Sequence, residues 1–327
     1  MKYRNLGRTQ VSVSQIGFGA WALGGGWGPQ ADSDSLAALN TAIDRGVNLL
    51  DTAAGYGNGR SEKIIAAALK LRREQIFVAT KTPPLPGVWP PSPYCRVEDR
   101  YPDAYLRSNL DERRKLLETD CIDLLQLHTW TRAWNANPRP LDTLKQLQSE
   151  GKLRYIGIST PEQDQNCVIE LMRRGYLDTI QVIFNIFEQE AAAEIFSVAQ
   201  ECNVGVIVRV ALDEGALTGK YRRGQRFAED DFRSRYFQGD RIDRVVERVE
   251  RIQADLAQLL PEAPSLAEVA LRFALAQPSV STVIPGMRNA VQAEANSQAG
   301  DLEPLRDEVV QCLRGHAWRR GVWYGGK

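Results

Sequence analysis

The chain has 327 residues, and 41 lysines and arginines balance 41 aspartates and glutamates, so its formal net charge is zero. Nucleic-acid and anionic-membrane binders usually carry a basic excess, so this balance argues against both classes. The apolar fraction of 43% and the charged fraction of 25% are ordinary for a globular protein. This length favours about two domains, unless the chain forms an α/β barrel, which reaches this size as one domain.

The numbers of cysteines and histidines indicate the cellular compartment of the protein and whether it binds a metal. The five cysteines are odd in number and lack C-x-x-C spacing, which indicates reduced thiols and no zinc site. With only two histidines, no multi-histidine metal centre is expected. No signal-peptide core and no membrane-length apolar run is visible. We therefore expect a cytoplasmic protein that binds no metal, membrane or nucleic acid.

A short β-branched segment, a loop and an amphipathic segment recur along the chain. Helical spacing is clearest from Ile242 to Leu260. Eight strands that alternate with helices in about 300 residues favour a single (β/α)₈ TIM barrel of the α/β class, with a doubly wound open sheet as the alternative. The predicted strands are Gln15–Phe18, Val47–Asp51, Ile76–Lys81, Asp123–His128, Tyr155–Ser159, Thr179–Ile183, Val204–Val208 and Ser281–Ile284.

The ends of the chain and two loops depart from this repeat, within one predicted domain over residues 1–327. Long loops at the C-terminal ends of strands are often functional, so two of them are expected to shape the site. We expect residues 83–102 to form a wall stiffened by prolines, and residues 213–240 to form a mobile segment. The terminal predictions are an N-terminal hairpin in residues 1–14 (strands Lys2–Leu6 and Gln10–Ser14), two extra helices (Asn289–Gln298 and Glu303–Leu313) and a C-terminal helix and tail in residues 301–327.

Polar side chains end four consecutive predicted strands, and a tyrosine lies in the loop after the first of them. The strand-end residues are Asp51, Lys81, His128 and Ser159, and the loop residue is Tyr56. Each alone has a common structural explanation, such as a turn, a solvated lysine or a packed ring. Together they would meet at one mouth of a parallel barrel, which favours a functional site.

These residue types offer acid–base chemistry without a metal. A tyrosine hydroxyl has a pKa near 10 in water. A buried cation such as Lys81 lowers this pKa, and Asp51 would hold that lysine charged and in place. Tyr56 would then protonate an oxygen on which negative charge develops, while His128 donates a hydrogen bond to it. With hydride from a carrier such as NAD(P)H, this predicts the reduction of a ketone or aldehyde.

Several motifs resemble the signatures of the aldo-keto reductases. DTAAGYG, VATK and LLQLH carry the resemblance, and GFGAW, GISTPEQ, IQVIFN, GALTGKY and IPGMRNAVQAEAN extend it in order over most of the chain. The resemblance implies a (β/α)₈ barrel with a helix-rich C-terminal extension that reduces carbonyls with NADPH. The family's catalytic tetrad would fall on Asp51, Tyr56, Lys81 and His128, in agreement with the roles reasoned from the residues.

The cofactor site is predicted after the last strand. Gly17 to Ala22 matches G-x-G-x-x-A, but the glycines that follow cannot continue the helix that a Rossmann fingerprint needs. The sequence IPGMRN predicts a loop and the start of a helix after the last strand, where backbone N–H groups can bind an anion. Arg288 would add a cation for a 2′-phosphate. NADPH is the expected cofactor and NADH the less favoured one. By resemblance, the predicted contacts are Gly19, Ala20, Trp21, Asp51, Ser159, Thr160, Gln181, Arg209, Val210, Leu212, Gly215, Leu217, Lys220, Ile284, Gly286, Arg288, Gln292 and Asn296.

Two positions depart from the family pattern. Ala295 stands where the family often has an acidic residue. Arg209 stands where many members have a tyrosine that stacks on nicotinamide, and certain bacterial-type subfamilies also carry arginine there. A planar guanidinium can stack on a ring, but its charge repels the oxidised, positive nicotinamide and not the neutral reduced form. We hypothesise that Arg209 favours NADPH over NADP⁺.

The substrate is expected to be a small apolar or aromatic carbonyl compound, since aromatic residues are predicted around the site. Packing is the alternative role for several of them, and His316 in the tail is assigned a structural role. The sequence leaves the physiological substrate and the oligomeric state open. The predicted pocket residues are Trp21, Trp27, Tyr56, Trp89 and Trp130, with Tyr94 and Trp134 near them.

Two alternatives use the same scaffold. Channel-associated β subunits resemble this family and act mainly through partners, so the chain could be a regulatory NADP(H)-binding subunit. The lack of an added N-terminal segment favours a free-standing enzyme. The other alternative is a lyase that forms a Schiff base on Lys81, which borohydride trapping with a substrate would reveal.

Overall fold

The fold is built on a sheet of eight parallel strands that follows a short hairpin. The computed structural model describes residues 1–323 except 71, 73–75, 89–91 and 93. The strands are β1 (Tyr3–Asn5), β2 (Ser12–Ser14), β3 (Phe18–Gly19), β4 (Leu49–Asp51), β5 (Phe77–Thr82), β6 (Ile122–Leu127), β7 (Leu153–Ser159), β8 (Thr179–Ile183), β9 (Gly205–Arg209) and β10 (Val280–Val283). The first two pair antiparallel, and β3 to β10 pair in parallel in chain order.

Hydrogen bonds between the first and last strands of the sheet close it into a barrel. The Gly17 amide donates to the Val283 carbonyl at 2.8 Å, and the Val283 amide donates to the Gln15 carbonyl at 2.9 Å. The Gly19 amide donates to the Pro285 carbonyl at 3.0 Å. This closure confirms the predicted barrel and excludes the doubly wound open sheet.

Helices follow the strands and cover the outside of the barrel. The long helix predicted from apolar spacing between Ile242 and Leu260 is confirmed, and its buried face includes Val245, Val249 and Ile252. The helices are α1 (Asp32–Asp44), α2 (Arg60–Leu69), α3 (Val97–Arg100), α4 (Asp103–Leu116), α5 (Arg139–Ser149), α6 (Ile169–Arg173), α7 (Ile195–Glu201), α8 (Phe232–Tyr236), α9 (Arg241–Leu259), α10 (Leu266–Leu275), α11 (Ala290–Gln298) and α12 (Asp307–Arg314).

One helix start differs from the sequence-based expectation, and one long loop contains short helical elements. The helix expected from Glu303 begins at Asp307, because Arg306 at its N-cap has an extended backbone with φ −60° and ψ 145°; Pro304 disfavours a helical conformation only at Glu303. The long loop over residues 213–240 contains a 3₁₀ turn at Asp213–Thr218 and the short helix α8. Several of its side chains are buried, so this segment packs against the barrel.

The N-terminal hairpin closes the end of the barrel opposite the strand C-termini. Tyr3 pairs with Ser14 and Asn5 with Ser12, around a 3₁₀ turn at Gly7–Thr9. Leu6 and Val13 of the hairpin form an apolar cluster with barrel residues from several strands. The hairpin therefore fills the floor of the barrel and leaves the other end as the open mouth.

Gly205 tests this packing, because the hairpin passes directly over it. A Cβ at Gly205 would lie 2.7 Å from Leu6 Cδ1 and 2.9 Å from the Leu6 carbonyl carbon. We expect Gly205→Ala to lower the free energy of unfolding by about 1–3 kcal/mol, as measured by urea denaturation. Gly55→Ala is the matched control, because a Cβ at Gly55 would meet no atom within 4 Å beyond its chain neighbours. Equal stability of the two variants would contradict the hairpin packing.

Candidate active site

The C-terminal ends of the strands surround a cavity of about 820 Å³. Most of the residues that the sequence predicted for catalysis, cofactor and substrate meet on its wall. Lys81 lies behind the wall, where its side chain is fully buried. The predicted residues that line the cavity are Gly19, Trp21, Trp27, Asp51, Tyr56, His128, Ser159, Thr160, Gln181, Arg209, Val210, Leu212, Gly215, Lys220, Ile284, Gly286, Arg288, Gln292 and Asn296.

A buried ion pair lies at the base of the cavity. Asp51 ends β4 and Lys81 lies in the neighbouring strand β5, so parallel pairing brings the two side chains together. Lys81 Nζ lies 2.6 Å from Asp51 Oδ2 and donates to the Thr52 carbonyl at 2.8 Å. Burial alone would lower the pKa of Lys81, but the charge of Asp51 and the bonds to Asp51 and Tyr56 outweigh it and raise this pKa. The lysine is therefore held as an ammonium ion.

Tyr56 completes the group in the loop after β4. Its hydroxyl lies 3.3 Å from Lys81 Nζ, and its ring meets the His128 ring edge-on at a centroid distance of 5.9 Å. His128 directly follows β6, and its amide donates to the Thr82 carbonyl at 2.9 Å. The four side chains predicted as a tetrad therefore come together at the barrel mouth.

The pKa of Tyr56 differs in direction from the sequence-based expectation. Burial raises this pKa and is the largest influence on it; Lys81 lowers it, as expected, and Asp51 raises it further, so the net pKa lies above its ordinary value. The hydroxyl therefore stays protonated over the neutral range. A protonated hydroxyl at the cavity wall can act as a proton donor.

The second oxygen of Asp51 is held by two glutamines. Gln181 Nε2 donates to Asp51 Oδ1 at 2.7 Å, and Gln126 Nε2 approaches the same oxygen at 3.3 Å. Ser159 Oγ lies 3.4 Å from Gln181 Oε1, so these two predicted cofactor contacts join the same network. Gln126 was not predicted from the sequence, although a polar residue inside the apolar run LLQLH was a signal for an inward-facing side chain.

Basic side chains line the part of the cavity next to β10 and α11. Arg288 Nη2 donates to the Pro29 carbonyl at 2.7 Å, and Arg288 Nε donates to Gln30 Oε1 at 3.0 Å. The Asn289 side chain caps α11 by accepting from the Gln292 amide at 2.9 Å. Arg288, just before the start of α11, and Lys220, in the loop after β9, both line the cavity and offer cationic partners for phosphate groups.

The neighbouring strand β9 ends in Arg209, which also lines the cavity. Its Nη2 donates to the Thr160 carbonyl at 2.9 Å. Within the described residues, Arg209 Nε and Trp27 Nε1 are buried without a hydrogen-bond partner. Both side chains line the cavity, so these donors suit the oxygen-rich groups of a dinucleotide.

Some predicted residues lie elsewhere. The side chains of Ala20, Leu217 and Trp130 are fully buried and do not line the cavity. Trp130 donates to Asn135 Oδ1 at 2.8 Å and packs edge-on against Trp134, so both tryptophans fill the core and do not form the pocket. Trp89 lies outside the described residues. Tyr94 is 94% exposed and does not reach the site.

Other cavity residues were not predicted individually. Arg233 lies over the Trp27 ring at 4.6 Å and pairs with Asp231 at 2.6 Å, so the first turn of α8 fastens the loop that contains Trp27. Glu162 lines the cavity from the loop after β7. The only sequence signal for Arg233 was its position in the long loop that was expected to shape the site.

His316 lies outside the cavity, as its structural assignment predicted. Its Nε2 is 3.0 Å from Asp255 Oδ2, on the face of α9 that α12 contacts. Cys312 is also close, and one potential ligand atom from each of Asp255, Cys312 and His316 lies within 4.8 Å of the others. The tail therefore reaches α9 through polar contacts before it turns towards the barrel mouth.

Comparison with known proteins decides the family. A sequence model of the Aldo/keto reductase family matches residues 15–317. The chain is 31% identical over 303 residues to the aldo-keto reductase YhdN of Bacillus subtilis (strain 168). The aligned region covers 91% of this chain and 88% of that protein. The chain belongs to the aldo/keto reductase family.

Two further similarities place this aldo-keto reductase among its relatives. It is 30% identical over 334 residues to the NADH-specific methylglyoxal reductase of Escherichia coli (strain K12). The aligned region covers 96% of this chain and 98% of that protein. Its structure resembles the holo form of aldo-keto reductase AKR11C1 from Bacillus halodurans, with a TM-score of 0.76, 27% identity and coverage of 98% and 99% of the two chains. Family membership makes the chain an oxidoreductase of carbonyl compounds that uses a nicotinamide cofactor.

The length and apolar character of the helices show whether any of them could cross a membrane. Among the described residues, none of the helices combines the length and the apolar character that crossing a bilayer requires.

The ion pair at the base of the site yields a stability prediction. We expect Lys81→Met to lower the free energy of unfolding by about 3–5 kcal/mol, because it leaves the buried Asp51 carboxylate without its counter-charge. The double variant Lys81→Met/Asp51→Asn removes both charges and should recover at least half of this loss. Urea denaturation at pH 7 measures both variants. Equal stability of the single and double variants would show that the charge of Asp51 does not matter.

Proposed function

We propose that this aldo-keto reductase reduces aldehydes and ketones to alcohols with NADPH, and that Tyr56 donates the proton. The observation that carries the proposal is the position of the Tyr56 hydroxyl, 3.3 Å from a lysine that is itself paired with Asp51 at 2.6 Å. This hydroxyl lies on the wall of the cavity, where a substrate carbonyl has access to it. The family supplies the reaction class, and the geometry supports the residue roles.

The chemistry divides between the cofactor and the side chains. A bound nicotinamide cofactor supplies hydride, which carries both electrons, to the carbonyl carbon. Tyr56 Oη gives its proton to the carbonyl oxygen as negative charge develops there, so an O–H bond forms and the tyrosine becomes a phenolate. The Lys81 ammonium stabilises this phenolate, and Asp51 keeps the ammonium in place. His128 orients the substrate oxygen by a hydrogen bond.

NADPH is the proposed cofactor because of the charge on the cavity wall. Arg288 and Lys220 offer cationic partners for phosphates, and Arg288 lies at the start of α11. A 2′-phosphate beside Arg288 would distinguish NADPH from NADH. One relative is named as NADH-specific, so the test compares the oxidation of NADPH with that of NADH.

The aromatic part of the wall supports a small apolar or aromatic carbonyl substrate. The Trp21 ring lies 6.5 Å from the Tyr56 ring and 6.2 Å from the Trp27 ring, measured between centroids. Rings at this position provide apolar surface beside the proposed proton donor. A substrate of this class would place its carbonyl near Tyr56 and its apolar part against Trp21 and Trp27.

The buried position of Lys81 does not favour a Schiff-base lyase. Its ammonium group makes three hydrogen bonds, to Asp51, Tyr56 and the Thr52 carbonyl, and its side chain is fully buried. A lysine needs a lowered pKa to attack a carbonyl carbon, whereas the pKa of Lys81 is raised. The structure therefore favours a role for Lys81 beside the proton donor.

The proposal is tested with the wild-type protein and Tyr56→Phe. We expect the wild type to oxidise NADPH in the presence of some members of a panel of aldehydes, ketones and sugars, as measured by the loss of NADPH absorbance. It should oxidise NADPH faster than it oxidises NADH. Tyr56→Phe should lose turnover by at least about a thousandfold because it cannot supply the proton, while its NADPH dissociation constant stays within about twofold. Retained turnover in this variant would exclude Tyr56 as the proton donor.

The pH profile checks the same assignment. Because the pKa of Tyr56 lies above its ordinary value, the donor stays protonated, and the reductive kcat should be flat from about pH 6 to pH 9 and fall only above about pH 10. A fall centred near neutral pH would point to a different donor.

Arg209 predicts a preference between the two redox forms of the cofactor. Its guanidinium is anchored to the Thr160 carbonyl and lines the cavity, so its charge would repel oxidised nicotinamide. We expect Arg209→Tyr to bring the dissociation constants of NADPH and NADP⁺ closer together by about threefold or more, measured by fluorescence titration. An unchanged ratio would contradict this role.

A further inference from the structure

One wall of the cavity has an unusual backbone. Val210, Asp213 and Glu214 have φ angles of 58°, 47° and 53°, in the left-handed region that residues other than glycine rarely adopt. A β-branched residue such as Val210 is especially disfavoured there. Val210 and Glu214 line the cavity, and Val210 directly follows Arg209 in the chain. Such a conformation persists only where the surrounding structure holds it.

Three contacts hold this segment: Asn185 Nδ2 donates to the Val210 carbonyl at 2.9 Å, Tyr221 Oη donates to the Glu214 carbonyl at 2.6 Å, and the third contact comes from the C-terminal tail. Arg320 binds both carboxylate oxygens of Asp213, with Nη1 at 2.7 Å from Oδ2 and Nη2 next to Oδ1. Arg320 Nη2 also donates to Tyr236 Oη of α8 at 2.9 Å. The side chains of Arg320 and Asp213 are 4% and 0% exposed, so this is a buried bidentate ion pair. Neither residue lines the cavity.

The tail around Arg320 is fixed on both sides. Trp318 and Trp323 are buried and meet edge-on, with ring centroids 5.2 Å apart. The Arg320 guanidinium lies 4.5 Å from the Trp323 ring centroid. The Trp323 amide donates to Glu162 Oε1 at 3.2 Å, and Glu162 lines the cavity from the loop after β7. The tail therefore joins two walls of the cavity without entering it.

We propose that Arg320 is a positioning residue for the cofactor: its ion pair with Asp213 keeps the Val210–Gly215 wall, with its left-handed residues Val210, Asp213 and Glu214, in the conformation that the cofactor binds. This inference rests on the proposed function, because it assumes that the cavity takes NADPH. Without Arg320, the buried carboxylate of Asp213 loses its counter-charge, and the segment relaxes towards solvent and an unstrained backbone. Binding must then restore the strained conformation, which weakens affinity.

A comparison of two neighbouring arginines tests this role. Arg320→Ala is expected to raise the NADPH dissociation constant by about tenfold or more, measured by fluorescence titration of the folded protein. At saturating NADPH its kcat should stay within about threefold of wild type, because the cofactor restores the wall. Arg319→Ala is the matched control, since Arg319 is an exposed residue of the same tail, and its affinity should stay within about twofold of wild type.

Two further variants keep the test valid if Arg320→Ala folds poorly. Arg320→Lys keeps the charge without the bidentate fork and should weaken NADPH binding by about threefold. Asp213→Asn/Arg320→Ala removes both charges, and asparagine tolerates the left-handed conformation, so this double variant should bind NADPH more tightly than Arg320→Ala. A melting-temperature measurement on each variant separates loss of stability from loss of affinity.

The outcomes distinguish this inference from the proposed function. If the wild-type protein binds no NADPH, the proposed function fails and the positioning role falls with it. If the wild type binds NADPH and the folded Arg320 variants bind it equally well, the positioning role alone is wrong. A lower melting temperature with unchanged affinity would likewise overturn it, because it would leave Arg320 a purely stabilising contact.

Discussion

The buried ion pair between Lys81 and Asp51 is the constraint on which the site depends. Two charges out of water persist only when they are paired and their remaining hydrogen-bonding positions are filled. Thr52 and Tyr56 fill the positions of Lys81, and Gln126 and Gln181 fill those of Asp51. Each partner is thereby fixed, so the hydroxyl of Tyr56 is placed as a consequence of satisfying a buried charge.

The two sides of the cavity are held in different ways. Near the ion pair, regular strands place the side chains, because parallel pairing brings β4, β5 and β6 into register. On the side of β9, a strained loop forms the wall, and a tail from the far end of the chain fastens it. The rigid side presents the proton donor, and the fastened side presents the basic and backbone groups proposed for the cofactor.

The pKa of Tyr56 shows why residue types alone do not set the chemistry of the site. A cation beside a tyrosine lowers the pKa, and this was the expectation from the sequence. In the folded protein, burial of the same hydroxyl raises the pKa by more, and Asp51 adds to the rise. The balance favours a neutral hydroxyl, which suits a proton donor better than a phenolate does.

The sequence by itself determined the barrel, the hairpin and the residues at the strand ends. Alternating periodicity is a local property, and parallel strands bring their C-terminal ends to one mouth, so Asp51, Lys81 and His128 were predictable as neighbours. Tertiary structure alone decided what depends on distant contacts. Trp130 turned into the core to satisfy its indole with Asn135. Arg320 reached Asp213 across 107 positions of the chain, and no local pattern predicts such a pair because packing selects it.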